Sequence, residues 1–197
     1  MKYLKMPGLA AVAAMAMTAF TAGTASATTL EVGGATKSES VELTMNLTPE
    51  SSLLYQPTGG GSLANTCETS HVEGHTESPY SGHEVGGTLA SLTIENCHTE
   101  PFEVVEAGTL SITHIEGTTN GTVTSRGAVV KVPSPIGKLT CRTNTGVDIG
   151  TLTGTGSSSN HAILHLNAVI NCGFLLPSAE WKGEYIVTSP TGLGVSA

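Results

Sequence analysis

Two cysteine-bounded segments decide the fold of this chain: residues 66–97, TCETSHVEGHTESPYSGHEVGGTLASLTIENC, and residues 140–172, TCRTNTGVDIGTLTGTGSSSNHAILHLNAVINC. A shift of 74 residues superposes their beginnings, and a shift of 75 superposes their ends and the residues that follow. The matching positions are Thr66, Cys67, Thr69, Asn96, Cys97, Gly108, Thr113 and Gly117, against Thr140, Cys141, Thr143, Asn171, Cys172, Gly183, Thr188 and Gly192. The near-constant offset predicts an internal duplication, with pseudo-repeats at about 62–117 and 136–192.

The first residues have the order of a secretory signal peptide. Lys2 and Lys5 precede an apolar run over residues 8–20, and the small residues 25–27 form a cleavage site. The run is too short for a bilayer core, which needs roughly 20 apolar residues. We therefore predict a signal peptide over 1–27, one secreted domain over 28–197, and no membrane span after cleavage.

Export predicts that the four cysteines form two disulfides, because thiols in an oxidising compartment are usually paired. Four cysteines allow three connectivities. The duplication favours Cys67 with Cys97 and Cys141 with Cys172, since equivalent positions should do equivalent work in each copy. Each bridge would close about 30 residues, which the chain-entropy model values at about 3.5 kcal/mol.

The charge of the mature chain is strongly negative. Without Lys2 and Lys5, six Lys and Arg remain against sixteen Asp and Glu, a formal net charge of −10. Nucleic acid is excluded as a partner, since phosphate binding needs clustered cations. No Lys or Arg lies between Lys37 and Arg126, an interval that holds twelve Glu, and the later part is slightly basic. Two readings stay open: solvated surface charge, or self-association of opposite halves.

The remaining chain is dominated by strand patterns. Short Thr- and Val-rich runs bounded by Gly, Asn or Pro lie at 40–47, 89–95, 109–115, 121–132, 162–170 and 184–188. Asn120-Gly121 is a hairpin candidate, and residues 59–61 and 154–160 are typical of loops. No stretch has a sustained helical period. The pattern predicts an all-β fold, an antiparallel β-sandwich or a barrel-like domain.

The densest group of chemically active side chains lies within residues 67–84, which we interpret as a His- and Glu-rich loop. His71, His75 and His83 are metal-ligand candidates, provided that the loop folds back on itself. Their irregular spacing matches no defined zinc pattern, so an ordinary acidic loop is the alternative. Trp181 and Tyr185 could face a sugar or an apolar ligand, although a core tryptophan is the favoured reading.

Motifs of catalysis are missing from the chain. There is no Gly-x-Ser-x-Gly elbow and no Gly-rich phosphate loop, and paired cysteines are not nucleophiles. Serines are so numerous that a triad with Asp148 is uninformative, because a triad is recognised by geometry. We predict no enzyme and no cofactor.

The final third of the chain carries a resemblance. CRT at 141–143, GTLTG at 150–154, NC at 171–172 and WKGEYIVTSP at 181–190 look like secreted β-rich proteins of actinobacteria whose activity is unknown. The signal peptide, the GTLTG run and the closing VTSP also resemble PraB-type activators of alkane oxidation. The resemblance implies an extracellular accessory role at a surface, in a matrix or in contact with hydrocarbon, and it transfers no functional residues.

Together these observations predict a secreted, disulfide-bonded, non-enzymatic protein with a structural or binding role outside the cell. Sheet edges or loops are the expected binding surfaces, with self-association or cell-surface components as possible partners. The second hypothesis is an extracellular module that binds a metal or a small ligand through residues 67–84. A hydrolase with an unrecognised site is the third.

Overall fold

The computed structural model describes residues 27–57, 64–78, 80, 82–134, 137–143, 145–174 and 178–197. The predicted signal peptide and the glycine run at 59–61 therefore lie outside the described residues. Those residues form fifteen strands, β1 to β15: Thr29–Val32, Ala35–Lys37, Glu42–Leu47, Leu53–Pro57, Asn65–Thr76, Val85–Cys97, Glu103–Glu106, Thr109–His114, Gly121–Arg126, Val129–Val132, Leu139–Arg142, Val147–Thr153, Ile163–Ile170, Ala179–Ser189 and Leu193–Ser196. The described part of the chain contains no helix.

Eight antiparallel strands close into a barrel. Around the wall they follow the order β3, β5, β6, β8, β9, β12, β13 and β14, and β14 returns to pair with β3. Half of the eight neighbouring pairs, namely β5–β6, β8–β9, β12–β13 and β13–β14, are consecutive in sequence, and the other four bring together strands separated by at least one other strand. The all-β prediction is confirmed, and of its two forms the barrel is the one adopted.

The wall of the barrel is extended by shorter strands. β4 occupies the same position as β3, since both pair with β5 on one side and with β14 on the other. β10 pairs with β11 and β7 in a small sheet, and β1 pairs with β15 and β2 in another. Gly108 joins β7 to β8 with a φ of 75°, where a Cβ atom would lie 2.4 Å from the carbonyl oxygen of Arg126. Only glycine fits such a close, left-handed step.

Side chains alternate between the interior and the solvent, as the pleat of a strand requires. In β9, residues 121, 123 and 125 are buried, and residues 122 and 124 between them are partly exposed. At one end of the interior, Tyr55, Phe102 and Trp181 pack together with ring centroids 5.0 to 5.7 Å apart. Leu30, Leu193 and Val195 of the β1–β2–β15 sheet are also fully buried and extend the same core.

Both predicted disulfides are present. Cys67 in β5 is bonded to Cys97 at the end of β6, and Cys141 in β11 is bonded to Cys172, which follows β13. No cysteine is free. The first bridge links the paired strands β5 and β6, and the second links β11 of the β7–β10–β11 sheet to the end of β13 in the barrel wall. Disulfides of this kind are typical of an oxidising environment outside the cytosol.

The strand predictions are confirmed for the six runs, which fall within β3, β6, β8, β9 with β10, β13 and β14 apart from one or two flanking residues. The turn at Asn120 joins β8 to β9, and residues 154–160 lie between strands. The interpretation of residues 67–84 as a loop is wrong, because residues 65–76 are strand β5. Small polar residues and histidines hid the alternation there, although every second residue from Ser70 to Thr76 is buried. The internal duplication stays a prediction.

Candidate functional site

The candidate site is a cavity of about 120 Å³ inside the barrel. Strands from every part of the wall contribute to it, and its lining is mostly apolar. Among the described residues, no charged side chain lines it. The lining residues are Met45, Leu53, Val72, Leu89, Leu92, Ile94, Ala107, Leu110, Ser125, Ala128, Val130, Cys141, Thr143, Ile149, Leu164, Leu166, Ile170, Trp181 and Tyr185.

The space exists because small side chains occupy part of the wall. Ala107, Ser125, Ala128 and Thr143 lie where larger residues would fill the interior. An eight-stranded barrel is just wide enough for its own side chains to fill it or for one small ligand. A site of this size and polarity suits an apolar molecule about as large as benzene, which a comparable cavity of about 150 Å³ holds in another protein.

Two hydroxyl groups in the cavity wall form a buried pair. The Oγ of Ser125 and the Oγ1 of Thr143 are 3.2 Å apart, and both residues are buried. Thr143 Oγ1 also accepts a hydrogen bond of 2.9 Å from the backbone N–H of Ala128. β9 and the end of β11 thus place two polar groups in an otherwise apolar lining.

The aromatic part of the wall carries further polar atoms. Tyr185 Oη donates to Ser70 Oγ at 3.0 Å, and Ser70 Oγ donates to the carbonyl oxygen of Thr93 at 2.8 Å. The indole Nε1 of Trp181 is buried and has no hydrogen-bond partner among the described residues. The hydroxyl of Tyr55, which packs on Trp181, is likewise buried and unpartnered.

Burial also controls the ionisation of the two tyrosines. Removal from water raises the pKa of Tyr55 to about 12, and it raises the pKa of Tyr185 to about 12 as well. Both phenols therefore stay neutral at physiological pH, and each can act only through its hydroxyl or its ring.

The barrel wall is incompletely paired next to the cavity. β6 pairs with β8 only over residues 85–88, and the last backbone bond there runs from Leu89 N to Gly108 O at 3.4 Å. Within the described ranges, the rest of β6 pairs with β5 alone, and β7 pairs with β10 instead. Leu92 and Leu110 line the cavity at this break and are partly exposed.

The histidines predicted as metal ligands point away from this cavity. His71 lies on the outer face of β5, where Nδ1 is 2.6 Å from Asn46 Oδ1 and Nε2 is 3.1 Å from Glu73 Oε1. His75 is exposed four residues further along the same strand, about 13 Å away at ordinary strand rise. His83 is exposed beyond the end of the strand.

The convergence that a metal site needs does not occur, because an extended strand separates the side chains. Among the residues that the structure describes, no group of three His, Cys, Asp or Glu side chains is arranged to hold a metal ion. His71 lines an open surface depression together with Glu68 and Glu95.

The uneven charge is partly neutralised within the chain. Arg126 is 3.5 Å from Glu84, and Lys131 and Lys138 lie 2.7 and 3.0 Å from Glu103. The hydrogen bond from Lys131, followed by that from Lys138, lowers the pKa of Glu103. Cations of the later half therefore pair with glutamates of the acidic half inside one molecule.

Comparison of the chain with protein-family models, with curated proteins and with solved structures yields no match. The resemblance to secreted actinobacterial proteins and to PraB-type proteins stays a prediction. In the described residues, no helix is long and apolar enough to cross a membrane.

Sequence reasoning identified only part of this site. Trp181 and Tyr185 were candidates for an apolar ligand, and both do line the cavity, while Trp181 is also a core residue as favoured. Ser125, Ala128 and Thr143 were not singled out as site residues. Their only signal is small size at inward positions, which has no meaning until the opposite strands are known.

Proposed function

We propose that this protein is an exported, non-enzymatic carrier or receptor that binds one small apolar molecule inside its barrel. The observation that supports the proposal is the cavity of about 120 Å³, whose lining is mostly apolar and, within the part of the chain that the structure describes, has no charged side chain. Small-ligand sites are usually concave, mostly apolar, and provided with a few polar groups that orient the ligand. Closure of the barrel removes most sheet edges, so binding at edges has less support than binding in the interior.

The break between β6 and β7 is the proposed route of access. A ligand that passes between Leu92 and Leu110 would reach the interior without unpairing a complete strand ladder. All other neighbouring strands of the wall are joined by ladders of at least four residue pairs, the shortest of which include β12–β13 over residues 150–153 and 163–166. These ladders would hold the barrel together while the ligand enters.

Toluene is a suitable first probe, because its seven carbons approach the size of the cavity. Full burial at about 0.8 kcal/mol per carbon corresponds to a Kd near 0.1 mM. Trp181 is the only tryptophan and lines the cavity, so its fluorescence reports occupancy directly. The expected result is a saturable fluorescence change at one toluene per protein, together with saturation transfer from protein to toluene in NMR. No saturable change up to the solubility of toluene would refute the proposal.

Export is supported by the two disulfides and by the composition of residues 1–27. Expression of the full chain in a bacterium with a general secretory system tests it. The expected product is found outside the cytoplasm, begins at Thr28 and has lost four hydrogens to disulfide formation. Retention of the full-length chain in the cytoplasm would contradict export and leave the binding proposal to be judged separately.

A further inference from the structure

The cavity wall contains a hydroxyl hydrogen that the protein leaves unused. Ser125 and Thr143 each carry one such hydrogen, and the bond between their oxygens consumes one of the two. Thr143 Oγ1 accepts from Ala128 N, which uses a lone pair and no hydroxyl hydrogen. Whichever hydroxyl donates, the hydrogen of the other has no acceptor among the described residues, since the side-chain hydrogen bonds of the pair are the bond between the two oxygens and the one from Ala128 N.

An unused donor in an apolar interior is costly, because its hydration is lost and nothing replaces it. Trp181 Nε1 is a second donor of this kind in the same wall. Both unused groups are donors, and no charged side chain of the described residues lines the cavity. An ionised ligand would be buried without a counter-charge, at a large cost in free energy.

We propose that the bound molecule is neutral and carries an acceptor oxygen, as a ketone, ester or ether does, and that this oxygen takes the spare hydrogen of the Ser125–Thr143 pair. The inference rests on the proposed function and adds the chemical class of the ligand. The apolar body fills the space between the aliphatic side chains, while the oxygen fixes its orientation.

The test compares cyclohexanone with methylenecyclohexane, which has nearly the same shape and replaces the oxygen by a CH₂ group. Binding of both is measured for the wild type and for the double variant Ser125→Ala/Thr143→Val. We expect the double variant to weaken cyclohexanone about 3- to 10-fold, the range of one hydrogen bond. Its affinity for methylenecyclohexane should stay within about twofold, since no hydrogen bond is lost.

The single variants give a distinctive control. Ser125→Ala leaves the hydrogen of Thr143 without an acceptor, and Thr143→Val leaves that of Ser125, so each keeps one spare donor. Both singles should retain most of the cyclohexanone affinity, and only the double variant should lose it. Ser111→Ala is a matched control: Ser111 is buried with an unpartnered hydroxyl, and it does not line the cavity.

The infrared carbonyl band of bound, ¹³C-labelled cyclohexanone provides a readout that does not depend on affinity. In the wild type it should lie below its position in a hydrocarbon solvent, and in the double variant it should move back toward that position. Thr143→Val also removes the acceptor of Ala128 N and lowers stability, so folding is checked by melting. If the double variant does not fold, the position of the carbonyl band in the wild type still shows whether the ligand oxygen accepts a hydrogen bond.

The outcomes separate this inference from the proposed function. Binding of both ligands with a wild-type band at the hydrocarbon position overturns the inference and leaves apolar binding intact. Equal weakening of both ligands in the double variant also overturns it, because that result indicates damage to the cavity. If the carbonyl band moves back toward its hydrocarbon position only in Trp181→Phe, the ligand oxygen accepts its hydrogen bond from the indole N–H. That result overturns the role proposed for the Ser125–Thr143 pair. If neither ligand nor toluene binds the wild type, the proposed function itself fails.

Discussion

Filling the cavity should stabilise the protein and abolish ligand binding. Ala128 lines the cavity at the junction of β9 and β10, and its substitution by leucine adds three carbons that point into the space. Burial of three carbons contributes about 2.4 kcal/mol, and the ordered side chain costs about 0.5–1 kcal/mol in rotamer entropy. The free energy of unfolding should therefore rise by about 1.5–2 kcal/mol.

The cavity itself sets an upper limit on this gain. At about 24 cal/mol per Å³, removal of the whole 120 Å³ would be worth about 3 kcal/mol. For a domain of this size, a gain of 1.5–2 kcal/mol raises Tm by about 3–8 °C. The assay is thermal unfolding followed by circular dichroism, with toluene titrations monitored by Trp181 fluorescence. Ala128→Leu should melt later and give no saturable response.

The matched control is Ala90→Leu. Ala90 is exposed on the outside of β6, so the same added carbons remain in water. The stability of this variant should stay within about 0.5 kcal/mol of the wild type, and toluene binding should be unchanged. The reasoning is refuted if Ala128→Leu is destabilised by more than about 1 kcal/mol and still binds toluene, because Ala128 would then not face empty space.

Three further predictions concern stability. Replacing Cys141 and Cys172 by alanine should lower the free energy of unfolding by about 3.5 kcal/mol, as measured by urea denaturation, whereas an unchanged midpoint would contradict a stabilising bridge. Tyr55→Phe should be neutral or stabilising by up to about 1 kcal/mol, because the hydroxyl that it removes has no partner among the described residues. Tyr185→Phe should cost about 0.5–1.5 kcal/mol, because it removes the hydrogen bond to Ser70. Equal melting temperatures for the two variants would contradict this difference. The pKa of Glu103 is lower in the folded protein, so in acid the unfolded chain binds more protons than the folded one. The stability that the Glu103 carboxylate contributes is therefore present above the ordinary pKa of 4.5, and it is lost as the pH falls through the lower, folded value. Glu103→Gln should therefore show a smaller fall in Tm than the wild type between pH 6 and pH 3, which lie about 1.5 pH units either side of the ordinary pKa of 4.5.

Features that depend on interactions between residues close in sequence were predictable, and features that depend on distant residues were not. The β8–β9 hairpin was predictable because its turn at Asn120 and its alternating flanks are all local signals. The disulfide pairing was predictable from the repeated spacing of the cysteines. β5 was missed because His71 and His75 suggested a metal-binding loop, although they are simply its outward residues. Their neighbours Val72 and Gly74 face inward, and two such small inward residues are a weak hydrophobic signal.

By itself, the sequence determined the all-β class, the two disulfides and most of the strands, since period-two alternation, turn residues and cysteine spacing act over short distances. Tertiary structure alone decided that the sheet closes, because β3 and β14 pair across about 140 residues of chain. Tertiary structure also determined that a cavity exists, because its volume depends on the combined sizes of side chains from opposite strands of the wall. The unused hydrogen of Ser125 and Thr143 exists only where two distant segments bring their hydroxyls within 3.2 Å.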